Sequence, residues 1–521
     1  MINGRDDALA ERVFLPDDDE LVEFERSGTP LFAMESQTPV SGFDIVAFSV
    51  SFENDYANIA RLLSLSGIPP RRRDRDARHP LLVMGGVCAF FNPEPVADFF
   101  DAVVVGEAEA ALPGLLDAVK DGGGLSREEL PARLASVPGI YIPSLYSPEY
   151  NLEGTLASFT NHPPAPAGVV RQVHSDLDSL PARTVILTKN TEFSDMHMTE
   201  LSRGCGRQCR FCMAGYVYRP VRSRGYDSVR DDIGSGGKKV GLVGAAVSDY
   251  HGISRLAEEF RDAEINFSAS SLRADSLTPE LVSLVSRGNR TVAIAPEAGS
   301  ERMRAVINKN ITEAQILAAV RMLIEGGVLN VRLYFMVGLP TETDEDIDAI
   351  AELAKKAREV QLAAARPTGR IGSLTLSVNC FIPKPWTPFQ WEPMEPVELL
   401  DKKIRRIKEA VKGVPNMSMI NDVPKHAYIQ AALSRGDRRL SEVVINASEN
   451  GGNWRRAFKT AGIDPEFYAG RTRPADELLP WDFLEMGMKR EYLEKERARA
   501  YEAKTTPPCR TDICRACGVC V

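Results

Sequence analysis

Seven of the nine cysteines in this 521-residue chain fall in two tight clusters. The first lies in "ELSRGCGRQCRFCMAG", where Cys205, Cys209 and Cys212 are spaced C-x3-C-x2-C. Thiolates are the usual ligands of iron–sulfur clusters. Three of them on a 4Fe–4S cube leave one iron without a protein ligand, and an open metal position is where a substrate or cofactor binds. Gly204, Gly206 and Gly215 let such a loop wrap closely around a bound group. The weaker alternative is a zinc knot completed by a fourth ligand, for which His197 is the nearest candidate. The second cluster ends the chain in "PPCRTDICRACGVCV". Cys509, Cys514, Cys517 and Cys520 stand there in C-x4-C-x2-C-x2-C spacing. Four cysteines this close predict a metal site. The short steps favour a second 4Fe–4S cluster, and zinc remains the alternative. Cys88 and Cys380 stand alone in apolar surroundings and read as small buried hydrophobes.

Composition narrows the setting. The 44% hydrophobic and 26% charged fractions are those of an ordinary globular protein. The length predicts two or three domains. A net charge of −9 gives no overall electrostatic footprint for nucleic acid. The locally basic "PPRRRDRDARHP" (69–80) reads as a solvated loop in preference to a nucleic-acid contact. No apolar run approaches the roughly 18 residues of a membrane span, and the polar, acid-rich start lacks the features of a secretory signal. These features predict a cytoplasmic protein, where disulfides are rare and metal binding must account for the cysteines.

The elements that would position the cysteines form two βα series, so the expected fold class is α/β. Residues 1–150 read as a Rossmann-like domain. Its strands are "FDIVAFSVS", "PLLVMGG" and "DAVVVGE", and its helices include "YANIARLLSLSGI", "PVADFF" and "AEAALPGLLDAV". Residues 151–193, rich in Pro and Gly, read as a linker with a few extra strands. Residues 194–395 carry six strands: "HMTELSRG", "KVGLVGAAVS", "INFSASSL", "TVAIAPEA", "NVRLYFMVGLP" and "SLTLSVNCFIP". Helices alternate with them, one opening on a capping box of Thr312 and Gln315 and stopping at Gly326. Six such units predict a partial (βα)6 barrel, with chemistry at the C-terminal strand ends. The first cysteine cluster directly follows the first strand. "FIPKPWTPFQW" (381–391) fits either a lid over the site or core packing. Residues 396–521 read as a helical C-terminal region ending in the four-cysteine site.

The central segment resembles the radical S-adenosylmethionine superfamily, whose C-x3-C-x2-C motif carries an aromatic residue before its third cysteine. Phe211 fills that place. The resemblance implies that the open iron chelates the methionine end of S-adenosylmethionine. It also implies that an electron from the cluster breaks the sulfonium C–S bond to give a 5′-deoxyadenosyl radical, the protein positioning and shielding its cofactors. It further implies cofactor contacts. "VGAAVSDY" stands where the family has a Gly-Gly-Glu-type turn and departs from it, with Gly244, Ser248 and Asp249 as counterparts. Ser270 and Arg273 of "SASSLRAD" would reach toward ribose and carboxylate. Glu297 of "APEAGSERMRAVINK" would point into the barrel. Gly338 of "LYFMVGLPTET" would let the backbone approach adenine.

The run "MGGVCAFFNPEPVADFFDAVVVGEAEAALPGLL" resembles the cobalamin-binding-type domain that precedes many of these enzymes. Gly85 and Gly86 would leave room there for a bulky ligand. The Asp-x-His-x-x-Gly motif is absent, and a domain that only keeps the fold is favoured over one that binds cobalamin. "MINGRDDALAERVF" looks like the end of a first βα unit, so either that unit is lost or the true start lies upstream. The tail, with "LPWDFLEMGMKREYLEKE" before it, resembles the end of a bacterial family of radical proteins. The leading expectation is a radical enzyme acting on an unidentified substrate and fed by a low-potential electron donor such as flavodoxin or ferredoxin. A second is a methylthiotransferase-like enzyme that modifies RNA or a ribosomal protein. A third is a non-enzymatic iron–sulfur or zinc protein that senses or scaffolds.

Overall fold

In a computed structural model the described residues are 1–123, 125–234, 236–268 and 272–520. The chain divides into two compact units, Met1–His174 with Ile429–Gly487, and Ser175–Tyr428 with Met488–Val521. The stretch read from the sequence as one C-terminal region is therefore shared between them. Periodicity marks a helix but not the partner its apolar stripe will find.

The first unit is built on the expected parallel strands. Ile45–Ser49, Leu81–Gly85 and Ala102–Val104 pair side by side, and Ile140–Tyr141 closes the sheet in antiparallel sense. The helix Tyr56–Leu65 buries Tyr56, Ile59, Leu62 and Leu63, a single face by helical spacing. The helix Ala108–Asp121 forms despite Pro113. It lays Ala111, Leu115 and Ala118 on a core with Leu81, Val83, Ala102 and Val104. Gly86 has φ +87°, and a Cβ there would lie 2.5 Å from the carbonyl oxygen of Val50. The room beside this glycine is thus filled by a neighbouring strand end, after which the buried turns of Val87–Phe91 follow. The basic loop is tied inward: the Arg75 guanidinium, fully buried, meets Asp101 at 3.2 Å, and Arg71 reaches Glu442. From the returning segment, Arg438 donates to Glu94 at 3.1 Å and to the Tyr141 hydroxyl at 2.6 Å.

The second unit holds the barrel strands β1 (His197–Glu200), β2 (Lys239–Val243), β3 (Asn266–Ser268), β4 (Thr291–Glu297), β5 (Asn330–Val337), β6 (Leu374–Cys380) and β7 (Met417–Asn421). They pair in parallel as β3-β2-β1 and as β4-β5-β6-β7. A parallel bridge from Leu272 to Ile294 links the two arcs at the β3–β4 step. Helices alternate with the strands, which gives the expected partial barrel. The capping box forms as read: Thr312 Oγ1 accepts from the Gln315 amide at 3.2 Å, while the Thr312 amide donates to Gln315 Oε1 at 2.9 Å. The seventh strand was not expected. It is a half-exposed edge strand, so its side chains show neither a continuous apolar run nor a clean alternation. Among the described residues, no helix is long and apolar enough to cross a membrane.

Candidate metal centre

The barrel strands all run in one direction, so their C-terminal ends share a face. Just past β1 the chain leaves that face in a loop pinned at its neck, where Ser202–Arg203 pairs antiparallel with Arg222–Ser223. Gly204 starts the loop at φ +80°, and a Cβ there would lie 2.6 Å from the carbonyl oxygen of Tyr218. Only glycine both adopts that backbone conformation and leaves that room. Within the loop, the Cys205 amide donates to the Ala214 carbonyl at 3.1 Å and the Cys212 amide to the Cys209 carbonyl at 3.1 Å.

The three thiols are turned inward. Cys209 is buried, and Cys205 and Cys212 are half-buried. Burial pushes the Cys205 thiol up, and pushes Cys212 up to about 12, with Cys209 adding to both. Such thiols resist ionising alone; a metal supplies the positive charge that makes thiolates of them. Among the described residues, no three His, Cys, Asp or Glu side chains are gathered tightly enough to hold one ion. The loop offers three thiols within mutual electrostatic reach. That donor set fits a multi-iron cluster. His197, the candidate fourth ligand of a zinc knot, begins β1 at the opposite end of the strand. There a Cβ on Gly236 would lie 2.2 Å from its ring.

Charged side chains surround the thiols. Glu297 closes β4 at φ +68° and holds Lys309 Nζ at 3.1 Å. Burial works against the Lys309 charge, but Glu297 and Cys209 outweigh it and hold its pKa above the usual value. Arg273 reaches Asp275 at 3.0 Å and the Lys309 carbonyl at 3.1 Å. Arg207, inside the cysteine loop, forks onto both oxygens of Asp249 at 2.6 Å and reaches Asp275 at 3.2 Å. Burial pushes the Asp249 carboxyl up, yet Arg207 and Arg273 hold it below its usual range.

The other expected contacts fall as follows. Phe211 packs on a cluster that includes Met303, Ile307, Phe381 and Phe389. "FIPKPWTPFQW" is core, with Phe381, Phe389 and Trp391 buried. Gly244 follows β2, where a Cβ would lie 3.0 Å from Ser202 Oγ at the loop neck. Ser248 is buried, its hydroxyl 3.1 Å from that of Ser276. Ser270 lies outside the described residues. Gly338 donates its amide to Glu342 at 2.8 Å, and a Cβ there would lie 2.7 Å from Leu400, so a helix side chain occupies its open space.

Sequence reasoning missed the brace behind the loop. Arg210 donates to Glu496 at 3.1 Å and to the Val306 carbonyl at 2.8 Å. Gln208, at φ +61°, donates to the Pro507 carbonyl at 2.7 Å and accepts from the Tyr492 hydroxyl. Asn308 donates to the Gln208 carbonyl at 3.1 Å and accepts from the Thr506 amide at 2.7 Å. The only sequence signal was a basic and an amide residue set between the cysteines.

Known proteins match much of this chain. The family described as "Radical SAM proteins, N-terminal" matches residues 1–143, and "Radical SAM superfamily" matches residues 199–354. An uncharacterized protein of Methanocaldococcus jannaschii is 30% identical over 421 residues, 80% of this chain and 82% of that protein. An uncharacterized methyltransferase of Pyrococcus horikoshii is 24% identical over 69% of this chain and 78% of that protein. A tRNA-2-methylthio-N(6)-dimethylallyladenosine synthase of Orientia tsutsugamushi is 25% identical over 34% of this chain and 43% of that protein, less than half its length. Among solved structures, the cobalamin-dependent S-adenosylmethionine radical enzyme OxsB aligns over 88% of this chain and 70% of its own, with 12% identity and a TM-score of 0.41. With its cysteine loop after the first barrel strand and its long match to the M. jannaschii protein, this chain belongs to the radical SAM superfamily, enzymes that work with a 4Fe–4S cluster and S-adenosylmethionine.

Proposed function

We propose that this enzyme reductively cleaves S-adenosylmethionine at a cluster held by Cys205, Cys209 and Cys212, and so starts radical chemistry on its substrate. The observation that supports the reading is the inward set of three thiols on one pinned loop at the mouth of the barrel. Bound together, the cluster and S-adenosylmethionine supply a low-potential electron and the sulfonium bond that it breaks.

The chain's own residues bind, orient and dry the site. Gly204 sets the turn that faces the thiols inward. The methionine end of the cofactor is a zwitterion, and the barrel mouth offers both signs of charge. Arg273 and Lys309 are cations for its carboxylate, while Asp249 and Glu297 are anions for its amino group. Gly244 and Ser248 follow β2, Ser270 comes after β3 in the sequence, and Gly338 follows β5. Phe211, with Phe381 and Phe389, walls one side of the loop with apolar surface that excludes water. Charge pairs in such a dry site act far more strongly than in water. A one-electron donor of the flavodoxin or ferredoxin class would feed the centre.

The first unit enters this reading as a fold-keeping domain, because the strand end at Gly86 is filled by the Val50 backbone. Mixing cobalamin with the protein should leave the cobalamin absorbance unchanged.

The main test is anaerobic reconstitution with iron, sulfide, a reductant and S-adenosylmethionine. 5′-Deoxyadenosine should appear, and Cys205→Ala should abolish it. Zinc in place of iron at the loop, or a loaded cluster that yields no 5′-deoxyadenosine, would overturn the proposal.

A further inference from the structure

The four C-terminal cysteines do not trail away from the barrel. The amide of Cys509 donates to the carbonyl of Gly206, the residue after Cys205, at 2.6 Å. The two backbones pass close: a Cβ on Gly206 would stand in van der Waals contact, 3.4 Å from the Cys509 carbonyl oxygen. Tight turns then gather the tail, with the Cys514 amide on the Arg510 carbonyl at 2.7 Å and Gly518 at φ +88°. Cys517 is buried, and its carbonyl accepts from the Lys489 amide at 2.9 Å. The thiols of Cys514, Cys517 and Cys520 stand within electrostatic reach of Cys509.

A cation stands beside the tail cysteines. Arg219, from the far arm of the Cys205 loop, is 2% exposed. Its guanidinium lies 5.3 Å from the Tyr216 ring and 5.6 Å from the Tyr492 ring, and it faces Cys517. A guanidinium keeps its proton, so a fixed positive charge stands beside Cys517.

We propose that Cys509, Cys514, Cys517 and Cys520 hold a second iron–sulfur cluster that passes electrons to the cluster of the Cys205 loop through the Cys509–Gly206 contact. The inference rests on the function proposed above. With four thiolates on four irons, this cluster has no open position for substrate, which leaves electron transfer as its chemistry. One electron from a flavodoxin- or ferredoxin-class donor reduces the tail cluster. The same electron then moves to the loop cluster and leaves the tail cluster oxidised, with no bond made or broken.

The test uses the full chain, reconstituted anaerobically. Iron and sulfide should amount to two clusters in the wild type and to one in Cys514→Ser/Cys517→Ser. In that variant, reduced flavodoxin should reduce the loop cluster at least tenfold more slowly, while dithionite still reduces it and its electron paramagnetic resonance line shape is kept. That retained line shape shows that the barrel is folded. Arg219→Gln should lower the reduction potential of the tail cluster, and Arg219→Lys should restore it. Zinc in the tail, iron content that ignores the tail substitutions, or an unchanged rate with flavodoxin would overturn the inference. Failure of the functional reading looks different: the resonance of the loop cluster, seen in the tail variant, would not change when S-adenosylmethionine is added.

Discussion

Arg210 and Glu496 form a buried ion pair, Nη2 to Oε2 at 3.1 Å, between the cysteine loop and the helix Arg490–Tyr501. Both side chains are almost wholly out of solvent, at 0% and 3% exposure. Glu496 also accepts from the Thr506 hydroxyl at 2.8 Å, so a single carboxylate holds the loop and the segment that leads to Cys509. The helix Arg490–Tyr501 is thereby part of the cysteine loop's support.

Removing that carboxylate should be costly. Breaking a buried pair by taking one partner away leaves the other charge uncompensated, a loss of about 3–5 kcal/mol. Glu496→Gln should destabilise the second unit by about that amount, lowered somewhat by the carbonyls that Arg210 keeps. Urea unfolding of the metal-free protein measures it. A loss under about 1 kcal/mol would mean that the pair is not the brace described.

Two of the loop glycines, Gly204 and Gly215, should separate cleanly. Gly204→Ala forces a positive φ on an L-residue and drives its Cβ to 2.6 Å from a backbone oxygen, which no side-chain shift relieves. The strain is about 1–3 kcal/mol, and the loop neck should open, with loss of bound iron after desalting. Gly215→Ala meets nothing closer than 3.7 Å and should keep its iron. Equal iron retention by the two variants would refute the geometry assigned to the neck.

The legible parts of this molecule were those written locally. Three cysteines within eight residues, strands alternating with helices, and the Thr312–Gln315 box all act through neighbours in sequence, so spacing alone exposes them. Partners far apart carry no such signature. Nothing near Arg210 points to Glu496, 286 residues away, and nothing near Arg438 points to Glu94, 344 residues away. The return of 429–487 to the first unit depends on contacts of the second kind. The aromatics at 381–391 fitted lid or core equally, because composition does not say which face is covered; burial of Phe389 and Trp391 decides for core.

The pair behind Gly338 predicts a pH effect. Glu342 accepts from the Gly338 amide at 2.8 Å and from Lys403 Nζ at 2.9 Å, and burial already pushes its carboxyl above the usual value. Lys403→Met removes the cation that opposes this shift. The folded variant then holds the proton more tightly than the unfolded chain, so its stability falls as pH rises through and above the ordinary Glu range. The slope should approach 1.4 kcal/mol per pH unit, and the wild type should fall less steeply. Thermal melts from acid to neutral pH measure the difference; parallel curves for the two proteins would refute it.

Asp249 offers the sharpest separation of cofactor binding from loop support. It lies after β2, where a carboxylate can meet the amino group of S-adenosylmethionine, yet Arg207 of the cysteine loop forks onto both its oxygens. Asp249→Asn keeps the shape and removes the charge. A charge-assisted hydrogen bond contributes about 1.5–3 kcal/mol. If the carboxylate holds the amino group, affinity for S-adenosylmethionine should therefore fall about tenfold or more while iron content stays unchanged. If Asp249 only braces Arg207, iron retention should fall and the affinity of the remaining loaded protein should not. Calorimetric titration of the reconstituted variant, read beside its iron count, distinguishes the two. We expect the first outcome, because Arg207 keeps a second carboxylate in Asp275 at 3.2 Å and its loop stays anchored when Asp249 is neutral.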